Sequence, residues 1–598
     1  MWIGYWQSLT GDRVEYVPYQ VGADRFPDVP LDQFRNSVQL FEGGNRYPAA
    51  EAVARLIASR PDGAWALWAY RHIPGLAPAA EFFYRLIAAH RNAGYKVTRV
   101  LWGSAPRPAT YHVASSWFAR AIALIYFIAF VSFGTQVRGL IGSQGIQPVT
   151  EYFAEIVRQF GAGGFWQTPT LFWWIHSEFG LLSIVWGGAV VAAVAAIGRP
   201  HTSGQKAALV LLFAYYLSIV NAGQIFMGYQ WDFLLLEAGF LAIFLKPVFV
   251  RTWLFRWLLF RLMFESGAVK LLSHDLSWRS LTALPVHYET QPLPTPIAWC
   301  MFHAPIWFHK TSVVGVFVIE LALPFLMFGP RRLKQIAASG TIGLQVLILL
   351  TGNYTFFNFL TIALCLFLFD DSFFSSTAVS FSSAAALLAR KSKEAASTPP
   401  PVHTNRYISA VLVVIVLTIS LSGLARMFGL RVPVLVSALS APVAPFGIVN
   451  QYGLFANMTT SRPEISIEGS NDGADWQEYT FKYKPGPLNR APGWVEPMQP
   501  RLDWQMWFAA LGNYRENPWL LRFMTRLLQG SPPVLELLAG NPFGGKPPRY
   551  VRALVYDYQF TSFEERRRTG NWWKRELKGT YFPPISLRSE RNEKPNAP

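Results

Sequence analysis

Cysteine is almost absent from this chain, with only Cys300 and Cys365 in 598 residues. That excludes a Cys-based metal site and a disulfide-framed outer domain, because both need paired or clustered thiols. The strings G-x-S-x-G, GxxxxGK[ST] and H-E-x-x-H are also missing. A Ser-hydrolase elbow, a P-loop NTPase and a zinc protease are therefore disfavoured, and no cofactor or metal is expected. Charged residues make up only 15% of the chain and lean basic, 53 Lys and Arg against 36 Asp and Glu, for a formal net charge of +17. No nucleic-acid module accompanies this excess, so it reads as topogenic loops and contacts with anionic membrane lipid, with no nucleic-acid partner. The first hundred or so residues lack the short isolated apolar core of a cleavable signal peptide, which leaves the first span to act as insertion signal.

What is abundant is apolar and aromatic. Hydrophobic residues are 52% and aromatics 16% of the chain, a composition of polytopic membrane proteins. Stretches long enough for a bilayer, or nearly so, run over 117–137, 179–197, 207–227, 233–245, 253–272, 313–328, 336–351, 356–369 and 407–428, about nine spans. The stretches 233–245 and 356–369 are short and follow tight GYQWD and GNYTF turns, as in helical hairpins or re-entrant features. Arg199, Lys206, Lys246, Arg251, Arg331, Arg332, Lys334, Arg390, Lys391, Lys393 and Arg406 fall in alternate loops, whereas the opposite loops carry only Arg138, Arg158, Arg279 and Lys310. The positive-inside rule then places the N-terminus in the cytosol and, with an odd number of spans, the C-terminal part outside or in a lumen.

The span WLFRWLLFRLMFESGAVKLL is unusual because it holds Arg261, Glu265 and Lys270. Charge at membrane depth is costly and faces a protein interior or a wet cavity. Arg261 and Glu265 are one turn apart and able to pair. Lys270 leads into a Pro- and aromatic-rich outer segment with Trp278, His287 and Glu289. Two readings stand side by side: a polar functional site at the membrane boundary, or a structural Arg261–Glu265 pair with Arg256 and Lys270 snorkelling to opposite surfaces. His287 and Glu289 are two residues apart and diverge on a helix, so structural use is favoured over an acid/base pair.

The domain plan is residues 1–110 as a cytosolic segment, 111–371 and 402–430 as the transmembrane core, 372–401 as a Ser/Ala/Pro-rich linker, 431–590 as an outer β-rich domain and 591–598 as a disordered tail. In the first segment RVEYVPYQ and SVQLFEGG read as strands, and YPAAEAVARLIAS and LAPAAEFFYRLIAAHR as amphipathic helices. Through VPYQ, FPDVPLDQF, YPAAEAVARLI and LWAYRHIPGLAPAAEFFYRLIAAHR it resembles the DCC family of thioredoxin-like thiol-disulfide oxidoreductases. That family carries a C-x-x-C motif just upstream of the helix that begins here at Trp2, and no cysteine precedes residue 300. Either Met1 is an internal start, and a longer protein is a thiol-disulfide redox protein, or the segment is a degenerate remnant.

Beyond 431 the strings FGIVNQYGLF, EISIEGS, EYTFKYK and RYVRALVYDYQF read as strands, with an Asp472-Gly473 turn, and point to a β-sandwich-like domain. Its helical strings RLDWQMWFAAL and WLLRFMTRLL, with NWWKREL, are rich in Trp and Arg. Trp278, Trp504, Trp507, Arg522, Trp572 and Trp573 are candidates for a client interface, or for an aromatic core and headgroup belt.

From about residue 117 to 587 the chain resembles the lipase maturation factor family. The resemblance rests on GLIGSQGIQPV, SIVNAGQIFMGYQWDFLLLEAGFLAIFLKP, SGAVKLLSHDLSWRSLTALPVHYETQPLPTPIAW, LLTGNYTFFNFLTIALCLFLFDD, QPRLDWQMWFAAL and PPRYVRALVYDY. It implies a membrane-embedded assistant to folding of exported proteins, lipases above all, in the endoplasmic reticulum membrane or, in a prokaryote, the inner membrane; it does not imply a hydrolase. SGAVKLLSHDLSW is also weakly similar to a motif of the vitamin K-dependent carboxylase family, which would make Lys270 a base acting on a lipid-like substrate, with Arg261, Glu265, His287 and Glu289 as partners. The resulting fold expectation is a polytopic α-helical membrane protein with about nine transmembrane helices, a truncated α/β thioredoxin-like N-terminal segment and a β-sandwich-like outer C-terminal domain.

Overall fold

The computed structural model describes residues 2–60, 63–103, 106–175, 177–244, 248–378 and 406–587. Most of the Ser/Ala/Pro-rich linker and the 591–598 tail lie outside these residues, as do Lys246, Arg390, Lys391 and Lys393. The chain forms two units, one of Met1–Thr110, Gly329–Ile336 and Phe369–Phe381, and one holding the remainder.

Helices dominate the first unit: Trp2–Thr10, Leu31–Asn36, Ala49–Ala58, Ala64–His72, Leu76–Ala89 and Arg91–Trp102. Its sheet among the described residues is one antiparallel hairpin, β1 (Gln39–Glu42) with β2 (Asn45–Pro48), turned by Gly43 and Gly44 at φ +57° and +79°. The strand expected at 13–20 is absent. Pro18 has no N–H to give a ladder and instead precedes the single helical turn Tyr19–Gly22. The described residues thus show a helix-rich unit with one hairpin, without the central sheet of the expected thioredoxin-like segment.

The apolar helices of the rest of the chain are α1 (His112–Gly134), α2 (Glu178–Ile197), α3 (Ser203–Ala222), α4 (Gln230–Ile243), α5 (Val248–Leu272), α6 (Ile306–Leu326), α7 (Arg331–Thr351), α8 (Phe357–Leu368) and α9 (Arg406–Met427). Among the described residues 6 helices, α1, α2, α3, α6, α7 and α9, are long and apolar enough to cross a membrane by length and composition. The other three expected spans differ for visible reasons: α4 and α8 are short, and α5 carries Arg251, Arg256, Arg261, Glu265 and Lys270. Close approach of α4 to α1 requires Gly239, where an added Cβ would stand 1.8 Å from the Tyr126 hydroxyl. Within α6 the turn Val318–Ala322 widens to π geometry just before Pro324, which cannot donate to the carbonyl four residues back.

The C-terminal region centres on one antiparallel sheet, ordered β4 (Gln477–Glu478), β3 (Pro463–Ser470), β7 (Tyr550–Phe560), β8 (Trp573–Ile585). A separate ribbon pairs β5 (Thr480–Phe481) with β6 (Leu538–Gly540). Helices α10 (Arg501–Ala510) and α11 (Pro518–Leu528) pack against β3 and β7 respectively. The expected two-sheet sandwich is therefore a single four-stranded sheet backed by helices. Trp-rich α10 and α11 occupy the place of a second sheet, and their buried Trp504, Met506, Trp519 and Phe523 supply the apolar layer that sheet would have given.

Candidate functional site

The segment 447–453 reads as a strand in sequence, yet it has no strand neighbour. Buried polar side chains of α4 and α5 take its backbone groups instead. Glu237 accepts the N–H of Asn450 at 2.9 Å and the Tyr452 hydroxyl at 2.8 Å. Arg261 donates to Asn450 O at 2.8 Å and forms an ion pair with Glu237. Glu265 accepts the N–H of Tyr452 at 2.7 Å, and Gln230 accepts that of Gly453 at 3.2 Å. Backbone groups removed from water need partners, and charged partners give the stronger bonds. Arg261 and Glu265, expected to pair with each other, thus part company: Arg261 reaches across to α4, and Glu265 holds the threaded segment.

Lys270 is buried and committed. Its three hydrogens have three acceptors, Glu320 Oε2 at 2.8 Å, Glu320 Oε1 at 3.0 Å and Ser266 O at 3.1 Å, with the Trp278 ring 5.3 Å away. An amine acting as a base must offer a free lone pair to a substrate; this nitrogen is surrounded by three protein acceptors, two of them on the π turn of α6. A second buried pair ties the C-terminal region to the core. Arg501, at the start of α10, forks onto Asp232 of α4 with both bonds at 2.9 Å, and Tyr216 donates to the same carboxylate at 2.5 Å.

Around these pairs the connections α1–α2, α3–α4, α5–α6 and α7–α8 all bond to the C-terminal region. From α1–α2, Gly145 O and Gln144 O accept from Arg526 and Ser531, each at 2.8 Å. Gly139 there sits so close to Pro533 that an added Cβ would stand 2.3 Å from its carbonyl oxygen. From α3–α4, Phe226 O accepts from Arg501 at 2.5 Å. From α5–α6, Arg462 donates to Glu289 O at 2.7 Å and Pro292 O at 2.8 Å, Asp275 accepts Met458 N–H at 2.9 Å, and Trp299 donates to Thr561 O at 3.0 Å. From α7–α8, Asn353 accepts Val495 N–H at 2.7 Å and donates to Gly493 O at 2.9 Å. The four connections and the sheet form one continuous polar-bonded body.

His287 and Glu289 diverge within it. His287 Nε2 lies 3.2 Å from the Tyr354 hydroxyl, which donates to Gln291 at 2.9 Å, while Glu289 accepts Phe560 N–H at 2.7 Å. Burial, reinforced by the nearby Lys270 charge, holds His287 down to about 4, so it is neutral at physiological pH. Burial raises Glu289, and pushes Glu496 up to about 8 against the opposing hydrogen bonds from Tyr354 N–H and the Asn358 amide. Nothing in the sequence spacing of Asp232, Glu237, Glu320 and Glu496 identifies the partners they hold in this body.

Trp278, Trp504 and Trp573 are buried, at 2%, 3% and 2% exposure. They brace the interior and present nothing to a client. Trp507 is half-buried and donates to Thr290 O at 2.9 Å; Trp572 is half-buried under the Arg566 guanidinium. Arg522 is exposed and pairs with Glu151 at 3.2 Å. Phe508, Leu511 and Leu521 are exposed on or beside the same two helices. Among the described residues no group of three or more His, Cys, Asp or Glu is placed to hold a metal ion.

Comparison with known proteins gives two family matches. Residues 113–376 match the lipase maturation factor transmembrane domain, and residues 448–583 match the lipase maturation factor C-terminal domain. The chain is 36% identical to lipase maturation factor 2 of Homo sapiens, over 79% of this chain and 82% of that one. It is 36% identical to lipase maturation factor 2 of Gallus gallus over 79% and 81%, and 35% identical to lipase maturation factor 1 of Mus musculus over 81% and 90%. No solved structure matches.

Proposed function

The chain belongs to the lipase maturation factor family, and from that premise we propose that it matures exported proteins by holding folding intermediates on the body formed by its C-terminal sheet and the four connections. It is a lipase maturation factor-like membrane protein. The clients are lipases, as the names of its relatives suggest, and the mechanism is binding. The observation that carries this reading is the commitment of every ionisable side chain singled out in α5: Arg261, Glu265 and Lys270 all hold protein partners, which suits a scaffold. The contact surface is the exposed side of α10 and α11, with Phe508, Leu511, Leu521 and Arg522 reachable and Trp507 and Trp572 at its half-buried margin.

In the same reading all of α1–α9 cross the membrane. The four connections that meet the C-terminal region are alternate ones, and the intervening connections carry the basic residues, so both features fit nine crossings with a cytosolic N-terminus and a luminal or extracytoplasmic C-terminal region. The membrane is that of the endoplasmic reticulum in a eukaryote and the inner membrane in a prokaryote. Two experiments test the proposal. A cysteine at exposed Asn471 reacts only with reagents that reach the outer face; cytosolic labelling refutes the topology. A photo-crosslinking residue at Phe508 captures a co-expressed secreted lipase during its synthesis, whereas one at exposed Asn45 does not. Equal capture at both positions, or none at Phe508, refutes the binding surface.

A further inference from the structure

Three successive helices of the first unit leave large apolar side chains exposed. On Leu76–Ala89 the half-buried side chains are Ala77, Ala80, Glu81, Tyr84 and Ala88, small or polar: Glu81 accepts from Ala50 N–H at 3.1 Å and the Tyr70 hydroxyl at 3.1 Å, and the Tyr84 hydroxyl accepts Val38 N–H at 2.8 Å. The aromatic and aliphatic side chains point away. Trp65, Trp68, Phe82, Phe83, Ile87 and Val100, drawn from three successive helices, are each between 59% and 66% exposed. Scattered exposed apolar residues need no explanation, but such a concentration marks a surface with an occupant.

The charge pattern specifies the occupant. Between Glu81 and Glu151 the sequence has no acidic residue, while Arg85, Lys96 and Arg99 are exposed among the aromatics. Trp and Phe beside Lys and Arg on short amphipathic helices is the composition of segments that lie in a bilayer interface, the rings at headgroup depth and the cations on anionic lipid. Continuity of the chain brings this unit to a bilayer: it ends at Thr110, α1 begins at His112, and it also contains the first residues of α7 and those directly after α8. We infer that the helices Ala64–His72, Leu76–Ala89 and Arg91–Trp102 form a lipid-facing surface seated in an anionic leaflet. This role is independent of client binding, since the surface lies in a different unit from the client-contact helices.

The test uses the full chain in nanodiscs, in a background where Cys300→Ser and Cys365→Ala remove the native thiols. A fluorophore is attached at Phe83→Cys or, as a control on the same unit, at exposed Asn45→Cys. Discs contain phosphatidylcholine alone or a mixture with phosphatidylserine, each with a headgroup-proximal nitroxide lipid as quencher. The inference predicts loss of fluorescence at position 83 but not 45, greater in phosphatidylserine discs, and reduced when Arg85→Glu, Lys96→Glu and Arg99→Glu are combined. Equal quenching in the two lipids overturns the anionic assignment. A position-83 probe reached by an aqueous quencher instead overturns the inference. So does one shielded from both quenchers, because a protein segment then covers the face.

Discussion

Replacing Lys270 by methionine isolates the part of the structure on which a catalytic and a scaffolding account differ most. The substitution keeps the buried volume but strips three hydrogen bonds and leaves Glu320 without its cation, on the π turn Val318–Ala322. Removing one member of a buried ion pair costs ~3–5 kcal/mol, because the remaining charge is stranded, whereas replacing both by apolar groups is often neutral or stabilising by ~1–4 kcal/mol. Lys270→Met is therefore expected to be destabilised by about 3 kcal/mol or more, and Lys270→Met with Glu320→Leu to recover most of that loss. The assay is the fraction of detergent-extracted protein that stays monodisperse after stepwise heating, read for both single variants and the double variant. A Lys270→Met protein as stable as wild type, or a double variant no better than the single, refutes the pairing argument. A double variant that folds like wild type but has lost all function would point to chemistry at the lysine.

Tyr452→Phe deletes the hydroxyl bonded to Glu237 while leaving the backbone bond to Glu265. A hydrogen bond to a charged group contributes ~1.5–3 kcal/mol, and the loss should appear as easier proteolysis of the 447–453 segment in detergent; unchanged proteolysis contradicts its role as an anchor. Glu496 governs a pH dependence. Its folded carboxyl is raised to about 8 from an ordinary 4.5, so between those values the folded state binds the proton that the unfolded state has released, and stability falls as pH rises through that window. His287 acts in the opposite sense, because its folded value of about 4 lies below the ordinary 6.5, so stability falls as pH drops below about 6.5. Thermal stability followed from pH 5 to pH 8 should flatten on its alkaline side in Glu496→Gln, and an unaltered slope would show that Glu496 does not set this dependence.

Much of the architecture is legible in the sequence because hydrophobic length and period-two alternation report it directly. The helices α1, α2, α3, α6, α7 and α9 fall close to their expected stretches, and β3 and β7 appear where alternation puts them. Pairing across the fold is not legible. Arg261 has Glu265 one turn away, and only tertiary structure brings Glu237 of α4 to it in preference. The alternation of FGIVNQYGLF imitates a strand, but the acceptors of its Asn450 and Tyr452 N–H groups are carboxylates of two helices rather than a neighbouring strand. Composition leaves Trp278, Trp504 and Trp573 open between a binding surface and a core; burial decides for the core, with Trp504 on α10 packed against β3, Trp278 clustered with Ala283 and Val313, and Trp573 with Trp299, Tyr558 and Phe560. The docking of 136–145 onto the C-terminal region had no signal beyond the glycines of GLIGSQGIQ, one of which, Gly139, is needed for close approach. The longest strand among the described residues, β8, hides in NWWKRELKGTYFPPI, where lysine, arginine and proline mask its alternation.

We propose that this protein matures exported lipases by binding, with its buried charges serving as braces. The most direct measurement is secreted lipase activity and lipase protein level at matched transcript in a deletion strain, rescued by wild type or by the paired Lys270→Met, Glu320→Leu variant. Lower lipase activity on deletion, restored by both, is the predicted result; lipases untouched by the deletion, or a folded paired variant that fails to rescue, would contradict it.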